Sequence, residues 1–203
     1  MQLRRISNIF LPSEFNEMKN LINESSFDVW SHGICSAFPQ PEAICYKKCN
    51  PEKCFSFSHR IDENSIFYNR LWNSLVLGVS NLYFDTYKIL RARLGLFIPH
   101  GEKLVQSPHV DNMFDHHTIL FYFSSEGETY LYNEFLDIEN KTNHDTFTTY
   151  KKIKPIENSA VLFEGLRYHS SSSPINNNRL TLTINLINNL DYDPVLMNQE
   201  NLW

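Results

Sequence analysis

The sequence predicts a mostly β fold with supporting α-helices, arranged as a sandwich or jelly roll. After about residue 83, short apolar stretches alternate with turn signals, as expected for successive strands of such folds. The 203 residues, of which 42% are hydrophobic and 14% aromatic, suffice for one domain with a sizeable core. We therefore expect a single domain over 1–203, with helical support over about 1–82 and the β core over about 83–190.

Two helices are predicted before the β core. Pro12-Ser13-Glu14 begins an amphipathic helix that ends near Ser25, and its apolar side chains are Phe15, Met18, Leu21 and Ile22. A second helix is predicted over residues 63–81, where near-helical periodicity points toward a core through Ile66, Phe67, Leu71, Leu75 and Val79. Both helices are expected to pack on one sheet.

The segment 33–58 between these helices shows no steady period. It can be a substrate-facing lid or an ordinary connection, and the sequence does not separate the two. The segment contains four cysteines, but their spacing lacks the paired Cys-x-x-Cys pattern of strong zinc motifs. We therefore expect free thiols at Cys35, Cys45, Cys49 and Cys54.

Seven strands are predicted in the β core, over residues 89–97, 106–112, 118–123, 129–133, 146–153, 160–163 and 179–187. The clearest of them alternates strictly, with Leu180, Leu182, Ile184 and Leu186 on one face. Its polar face carries Arg179, Thr181, Thr183 and Asn185. This pattern fits a half-solvated edge strand as well as the wall of a polar cavity.

A candidate metal site begins with His109 and Asp111. Residues two apart on a strand share one face and can converge on one ion, and Pro108 argues against a helix here. His169 lies well downstream and can add a second imidazole. Two imidazoles and one carboxylate leave coordination positions open, as in non-haem iron(II) oxygenases, whereas structural zinc sites are closed by four ligands.

Arg179 is the candidate anion-binding residue. An arginine facing a cavity requires an anionic partner, and its planar fork suits a carboxylate held at two points. A dicarboxylate co-substrate would meet this requirement.

Together these residues resemble the 2-oxoglutarate and iron(II)-dependent dioxygenases, in the prolyl 4-hydroxylase-like branch of bacterial or phage type. The resemblance covers residues 94–186 and follows the family order of His-x-Asp, aromatic strand, Gly-containing hairpin, distal His and basic residue. It implies a double-stranded β-helix core of cupin type. It also implies that the iron ligands are His109, Asp111 and His169.

The same resemblance assigns the co-substrate site. Arg179 matches the residue that binds the distal carboxylate of 2-oxoglutarate, and Tyr122 matches the tyrosine that supports it. Thr183 resembles a cavity-wall position, and Asn185 is expected near the iron site. Where many relatives have a tyrosine followed four residues later by Gly, this chain has Phe97 before Gly101, so one hydrogen bond to the co-substrate is expected to be missing.

The implied activity is hydroxylation of a substrate carbon with release of succinate and CO2. Its implied cofactors are Fe(II), the co-substrates 2-oxoglutarate and O2, and optionally ascorbate. Prolyl hydroxylation of a protein or peptide is the first expectation, and hydroxylation of a free amino acid or small metabolite is the alternative. Arg179 in place of the lysine of collagen-type enzymes disfavours collagen-like substrates. The alternative hypothesis outside the enzymes is a catalytically silent module that binds metal or a small acid.

Charge and hydropathy bound the partners. The net charge of −5 and the pI near 5.9 argue against general nucleic-acid binding. The basic runs at Arg4-Arg5, 91–93 and 151–154 are predicted to be solvated faces or strand ends. No apolar stretch reaches membrane-spanning or signal-peptide length, so we expect no membrane association and a cytoplasmic location.

The other histidines compete for a role at the site. His116 and His117 are adjacent, so at most one can point toward the ion, and we expect loop or supporting positions for both. Solvent-exposed side chains are predicted for His59, His100 and His144.

Overall fold

The structure is a computed structural model, and it describes residues 3–25, 30–33, 56–83, 87–99, 101–139, 144 and 146–188. Its strands are β1 (Arg4–Ser7), β2 (Ser31–Gly33), β3 (Ser56–Arg60), β4 (Tyr87–Phe97), β5 (His117–Tyr122), β6 (Thr129–Phe135), β7 (Thr149–Ile153), β8 (Ser159–Glu164), β9 (Arg167–Ser171) and β10 (Arg179–Asn188). The helices are α1 (Pro12–Asn23), α2 (Tyr68–Leu71) and α3 (Gly78–Asn81), and a π-helical stretch (Trp72–Leu77) joins the last two.

These strands form two antiparallel sheets. The larger has the order β1-β8-β5-β10-β4-β3-β2, and the smaller has the order β7-β6-β9. Because β5 and β8 belong to one sheet while β6, β7 and β9 belong to the other, the chain crosses repeatedly between layers. The predicted mostly β fold with a jelly-roll core is confirmed.

Helix α1 packs its apolar face against the larger sheet, as predicted. Phe15 stacks on Phe123 at 5.9 Å between ring centroids, and Met18 and Ile22 are buried in the same cluster. The first turn is stabilised by Glu14, whose carboxylate accepts the backbone N–H of Leu11 at 3.2 Å. The helix ends at Asn23, two residues before the predicted end.

The second helical stretch begins at Tyr68, five residues later than predicted. Residues 62–67 form turns because Asp62 and Ser65 accept backbone N–H groups two residues ahead of them. As a result Ile66 is 63% exposed, and its predicted core position was wrong. The other predicted core residues of this stretch are buried, namely Phe67, Leu71, Leu75 and Val79.

The polar face of β10 is a cavity wall and not a solvated edge. Strand β10 lies between β5 and β4 near the centre of the larger sheet. Its apolar side chains join the core beneath the helices, while Arg179 and Asn185 on the opposite face are fully buried. The alternation of polar and apolar residues fitted both a half-solvated edge strand and a cavity wall. The central position of the strand in the sheet supports the cavity wall.

The segment over residues 106–112 is extended but is not a regular strand, so that prediction was wrong. Two isolated bridges join this part of the chain to β9 and the residue after it, namely Val105 with Ser172 and His109 with His169. The bridged residues are four positions apart on one side and three positions apart on the other, so the register shifts by one residue. Pro108 lies within this slip and has no N–H to donate to a regular ladder.

The remaining predicted strands occur with shifted ends. The prediction over 146–153 shortens to β7, and the others differ by at most two residues at either end. Short strands β1, β2, β3 and β9 were not predicted. Cys35, Cys45, Cys49, Cys54, His100 and most of segment 33–58 lie outside the described residues.

Two histidines predicted to be solvated are half-buried. The His59 ring lies 4.9 Å from the Phe67 ring and 2.6 Å through Nε2 from Ser65 Oγ, and His144 contacts the Phe135 carbonyl. The basic side chains of Arg4, Arg5, Lys151, Lys152 and Lys154 are exposed, as predicted. Within the described part of the chain, no helix is long and apolar enough to cross a membrane.

Candidate active site

His109, Asp111 and His169 converge at one point of the cavity between the sheets. One candidate ligand atom from each residue lies within 4.8 Å of the others. Nε2 of His169 is 3.8 Å from an Asp111 carboxylate oxygen, and the two imidazole rings are 4.4 Å apart between centroids. The structure thus brings together the three side chains that the sequence singled out.

Backbone pairing positions the two imidazoles. His109 and His169 exchange reciprocal N–H to carbonyl hydrogen bonds of 2.9 Å, so their side chains lie side by side. Phe163 packs edge-on against the His169 ring at 5.0 Å and restricts its orientation. The sequence did not predict this pairing, because the residues of β9 show no strong strand pattern.

Both rings are arranged to present Nε2 to an ion. The Nδ1 atom of His109 is 3.3 Å from the Ser107 carbonyl, and that of His169 is 3.1 Å from the Arg167 carbonyl. A carbonyl can only accept, so Nδ1 is the donor in each of these contacts, and this orientation of the rings suits metal binding through Nε2. Such carbonyl partners are usual behind metal-binding histidines.

The Asp111 carboxylate is held by three side chains. Arg91 Nη2 lies 3.1 Å from Oδ1, while Asn185 Nδ2 donates to Oδ2 at 2.9 Å. Thr118 Oγ1 is 3.4 Å from the same Oδ2. Burial alone would raise the pKa of this carboxyl, but Arg91, His169, His109 and Arg93 outweigh burial and hold it well below its usual value. Asp111 is therefore ionised and oriented for metal binding.

Arg179 is fully buried and lies against Thr129 and Phe97, which both line the cavity. Its Nη1 donates to the Glu128 carbonyl at 2.7 Å and its Nη2 to Thr129 Oγ1 at 2.8 Å. Its Nε has no hydrogen-bond partner, and no described carboxylate forms an ion pair with it. Burial lowers the pKa of this guanidinium to about 10, so it stays charged at neutral pH. A buried cation with an unused donor is suited to an anionic ligand.

Tyr122 lies beside Arg179, as the resemblance implied. The Tyr122 ring centroid is 5.9 Å from the guanidinium carbon, and its hydroxyl donates to Thr129 Oγ1 at 3.0 Å. Thr129 therefore links Tyr122 with Arg179, a role that the sequence did not single out. Phe97 lies 5.7 Å from the same guanidinium carbon and provides an apolar wall without a hydroxyl.

The cavity is lined by residues of both sheets, and five of its thirteen lining residues come from β4 and β10. Thr183 lines it, in agreement with its predicted wall position, as do Thr181 and Gly95. The remaining lining residues are Arg93, Phe97, His109, Asp111, Thr118, Leu120, Thr129, Phe163, His169 and Ser171.

Arg91 and Arg93 were predicted to be solvated and are not. Arg91 is held against Asp111 and Asn185, and Arg93 lines the cavity. Both alternate with Phe97 on the same face of β4. Alternation with Phe97 indicates their shared face, but the burial of that face follows from the pairing of β4 with β10.

His116 and His117 are outside the metal group, in agreement with their predicted supporting positions. His116 is buried, its Nδ1 lies 2.7 Å from the Phe114 carbonyl, and its ring fills the space above Gly165. Its Nε2 has no described partner, and burial lowers its pKa. His117 packs on Tyr87 on the opposite side of the strand.

No protein-family model matches the chain, and no curated protein matches it. Solved structures do. One is a 2OG-Fe(II) oxygenase family oxidoreductase from Burkholderia pseudomallei, with 10% identity, a TM-score of 0.58 and coverage of 91% of this chain and 84% of that chain.

Two prolyl hydroxylases are similar at the same level. A prolyl-4-hydroxylase from Pseudomonas putida shares 12% identity with a TM-score of 0.54 and 92% coverage of both chains. A prolyl hydroxylase from Trichoplax adhaerens, in complex with a hypoxia inducible factor peptide, shares 18% identity with a TM-score of 0.56 and covers 94% of this chain and 87% of that chain. The fold of this chain is therefore the fold of the 2-oxoglutarate and iron(II)-dependent oxygenases.

Proposed function

We propose that this protein is a non-haem iron(II) and 2-oxoglutarate-dependent dioxygenase that hydroxylates a substrate carbon. The observation that carries the proposal is one cavity that is lined by His109, Asp111 and His169 and also by Thr129, behind which the buried Arg179 lies. The fold alone would not be sufficient, because one fold supports many functions.

The three converging side chains fit an iron(II) ion. Two imidazoles whose Nδ1 atoms face backbone carbonyls and one ionised carboxylate form a mixed set of nitrogen and oxygen donors, which suits iron(II) with open positions. Among the described residues, no fourth His, Cys, Asp or Glu joins the group, so positions remain for small ligands.

The side of the cavity at Thr129, against which Arg179 lies, fits the distal carboxylate of 2-oxoglutarate. A carboxylate here can accept hydrogen bonds from the Arg179 Nε–H, which has no described partner, and from the Thr129 hydroxyl. The positive charge of the guanidinium also attracts it. Phe97 and Leu120 provide apolar walls for the carbon chain between the two ends.

When bound, iron(II) and 2-oxoglutarate supply the oxidation that inserts one oxygen atom of O2 into a C–H bond, with succinate and CO2 as by-products. His109, Asp111 and His169 would hold the ion, and Asn185 and Arg91 keep the carboxylate in place. Arg179 and Tyr122 would hold the far end of the co-substrate, and the cavity walls would limit the access of water.

For the substrate, we propose a prolyl residue of a protein or peptide. Support comes from the similarity to prolyl hydroxylases, one of which is seen with a peptide. Free proline is included in the test below because its ring offers the same C–H bonds.

The deciding test measures iron binding, succinate formation and oxygen insertion in the same preparations. Wild-type protein is compared with Asp111→Ala and with Asp115→Ala, an exposed aspartate four residues away that serves as the matched control. Anaerobic calorimetry follows iron(II) binding, and mass spectrometry follows succinate and any gain of one oxygen atom in a library of proline peptides and free amino acids.

We expect iron-dependent succinate in the wild type and in Asp115→Ala, and loss of both iron binding and succinate in Asp111→Ala. Unchanged iron-dependent turnover in Asp111→Ala would falsify the assignment. Iron binding without succinate for any substrate pool would favour a silent binding module.

A further inference from the structure

Gln106 carries a buried hydrogen-bond acceptor that the proposed chemistry does not use. Its side chain is 3% exposed, and its Oε1 atom has no hydrogen-bond partner. Buried carbonyl oxygens are nearly always paired, so an unpaired one calls for an explanation. The residue lies three positions before His109, on the extended segment that also contains Asp111.

Backbone pairing places the Gln106 side chain on the cavity side of this segment. Its N–H donates to the Ser171 carbonyl at 2.8 Å, and the preceding residue, Val105, pairs with Ser172. Val105 lies on the outer face, where it is 48% exposed. Because neighbouring residues of an extended chain point to opposite faces, Gln106 shares the inner face with Ser171, which lines the cavity.

The strand register gives the distance from Gln106 to the proposed metal site. Ser171 lies two residues after His169 on β9, which corresponds to about 7 Å along the strand. Gln106, beside Ser171, is therefore the next residue on this face after the imidazole pair. An extended residue spans at most about 3.6 Å, so a group held at the ion lies within about two peptide residues of Oε1.

Gln106 lies on the other side of β9 from the proposed site of the distal carboxylate. Thr129, which holds Arg179, pairs with Ser171 from β6, whereas Gln106 pairs with Ser171 from the opposite edge of β9. Two strand spacings, about 10 Å, therefore separate Thr129 from Gln106. In addition, a carbonyl oxygen only accepts hydrogen bonds and cannot bind a carboxylate of the co-substrate. Its Oε1 is thus suited to a donor on the substrate.

We propose that Gln106 binds an N–H group of the substrate close to the hydroxylated carbon, and so selects and orients the substrate at the metal. The inference rests on the proposed function. A substrate with this donor pairs the buried oxygen, whereas a substrate without it leaves the oxygen unpaired and binds more weakly. In a prolyl peptide the donor belongs to the residue after proline, because the prolyl nitrogen carries no hydrogen. In free proline it is the ring ammonium.

Matched ligands test the inference. The peptide pair is acetyl-Ala-Pro-Ala-amide and the same peptide with an N-methyl group on the alanine after proline. The small-molecule pair is L-proline and (S)-tetrahydrofuran-2-carboxylate, in which oxygen replaces the ring nitrogen. The second member of each pair lacks the N–H group. Binding is measured by calorimetry on full-length protein with 2-oxoglutarate and Mn(II) in place of iron, so that the readout does not depend on turnover.

Three variants accompany the wild type. Gln106→Met removes the acceptor at similar size, Gln106→Glu keeps an acceptor, and the control Val105→Ala changes the neighbouring residue on the outer face. In the wild type, we expect the N–H member of one pair to bind about tenfold or more tightly than its partner, because a buried acceptor left unpaired is costly. Gln106→Met should abolish this preference, whereas Gln106→Glu and Val105→Ala should retain it.

A second measurement separates substrate recognition from a structural role. In the ligand-free protein Oε1 makes no hydrogen bond, so Gln106→Met should unfold at the same urea concentration as the wild type or at a higher one. A lower urea midpoint would assign the side chain to the stability of the fold and overturn the inference. The affinities for Mn(II) and 2-oxoglutarate should be the same in both proteins.

The pair that shows the preference identifies the source of the N–H group. Equal binding within both pairs in the wild type would overturn the inference, as would a preference that survives in Gln106→Met. A loss of Mn(II) or 2-oxoglutarate affinity in Gln106→Met would overturn it too, by assigning Gln106 to the metal or to the co-substrate. Failure of the proposed function is distinct, since it appears as absent succinate in the wild type.

Discussion

The side-chain amide of Asn185 donates a 2.9 Å hydrogen bond to the Asp111 carboxylate and is itself oriented by Arg91. The Arg91 Nε donates to Asn185 Oδ1 at 3.0 Å, which leaves Nδ2 directed at Asp111. Asn185 is fully buried, so the arrangement does not compete with water. Asp111 is thus held by a partner that is itself held in place.

Replacement of Asn185 by Ala is expected to weaken metal binding by about 10- to 100-fold, the usual effect of losing a partner of a ligating side chain. The change is neutral in charge, so it tests orientation and not electrostatics. Calorimetric titration of Mn(II) onto the metal-free protein measures it. Asn177→Ala is the control, since Asn177 is an exposed residue outside the cavity. Equal Mn(II) affinities in all three proteins would contradict the prediction.

Replacement of Arg179 by Met is expected to remove 2-oxoglutarate binding while leaving Mn(II) binding intact, because the metal ligands lie on other segments. A ligand present at 100 times its Kd stabilises a protein by about 2.7 kcal/mol, so the wild type should show a clear thermal shift with 2-oxoglutarate. The variant should show none, and Arg179→Lys should show an intermediate shift because it keeps the charge and loses the fork. A full shift in Arg179→Met would place the co-substrate elsewhere.

Gly127 and Gly101 form a matched pair for testing the support of Arg179. Both have positive φ angles, of 68° and 73°, so Ala is strained at either position by about 1 kcal/mol. Only at Gly127 would the new Cβ lie 2.8 Å from Arg179 Nη1 and from the Ser172 carbonyl. Urea unfolding should therefore show destabilisation in both variants, greater in Gly127→Ala. 2-Oxoglutarate affinity should fall in Gly127→Ala alone, and an equal fall in Gly101→Ala would refute the contact argument.

Much of the site was predictable because strand alternation sorts residues by face. The pattern of β10 identified Arg179, Thr183 and Asn185, and the His-x-Asp triplet identified two of the three side chains that converge in the structure. The sequence did not reveal that the polar face of β10 is buried as well as the apolar face, because that depends on the central position of the strand between β4 and β5.

The errors also have physical causes. Arg91 and Arg93 form part of a basic run, and such runs are usually solvated; only their pairing across β10 places them in the cavity. Ile66 is exposed because side-chain to backbone hydrogen bonds at Asp62 and Ser65 form turns, and the helix begins only after them. Both outcomes depend on contacts that periodicity does not encode.

His116 is expected to make the stability of the metal-free protein depend on pH. In the folded state burial lowers its pKa, whereas in the unfolded chain an ordinary value near 6.5 applies. The unfolded state therefore binds the proton first as pH falls. This contribution to stability is fully present above about pH 6.5 and is lost as pH decreases toward the folded-state pKa, by at most about 1.4 kcal/mol per pH unit.

Urea unfolding in the presence of EDTA, between pH 8 and pH 5.5, measures this dependence for the wild type and for His116→Gln. At pH 8 both side chains are neutral, so the difference between the proteins there reports only lost packing and hydrogen bonding against Gly165 and Phe114. Below pH 6.5 the free energy of unfolding should fall less steeply in His116→Gln than in the wild type. If the free energy of unfolding changed with pH in parallel in the two proteins, the buried imidazole would accept its proton without an energetic penalty. That result would contradict the prediction, which is based on burial and on an Nε2 atom without a described partner.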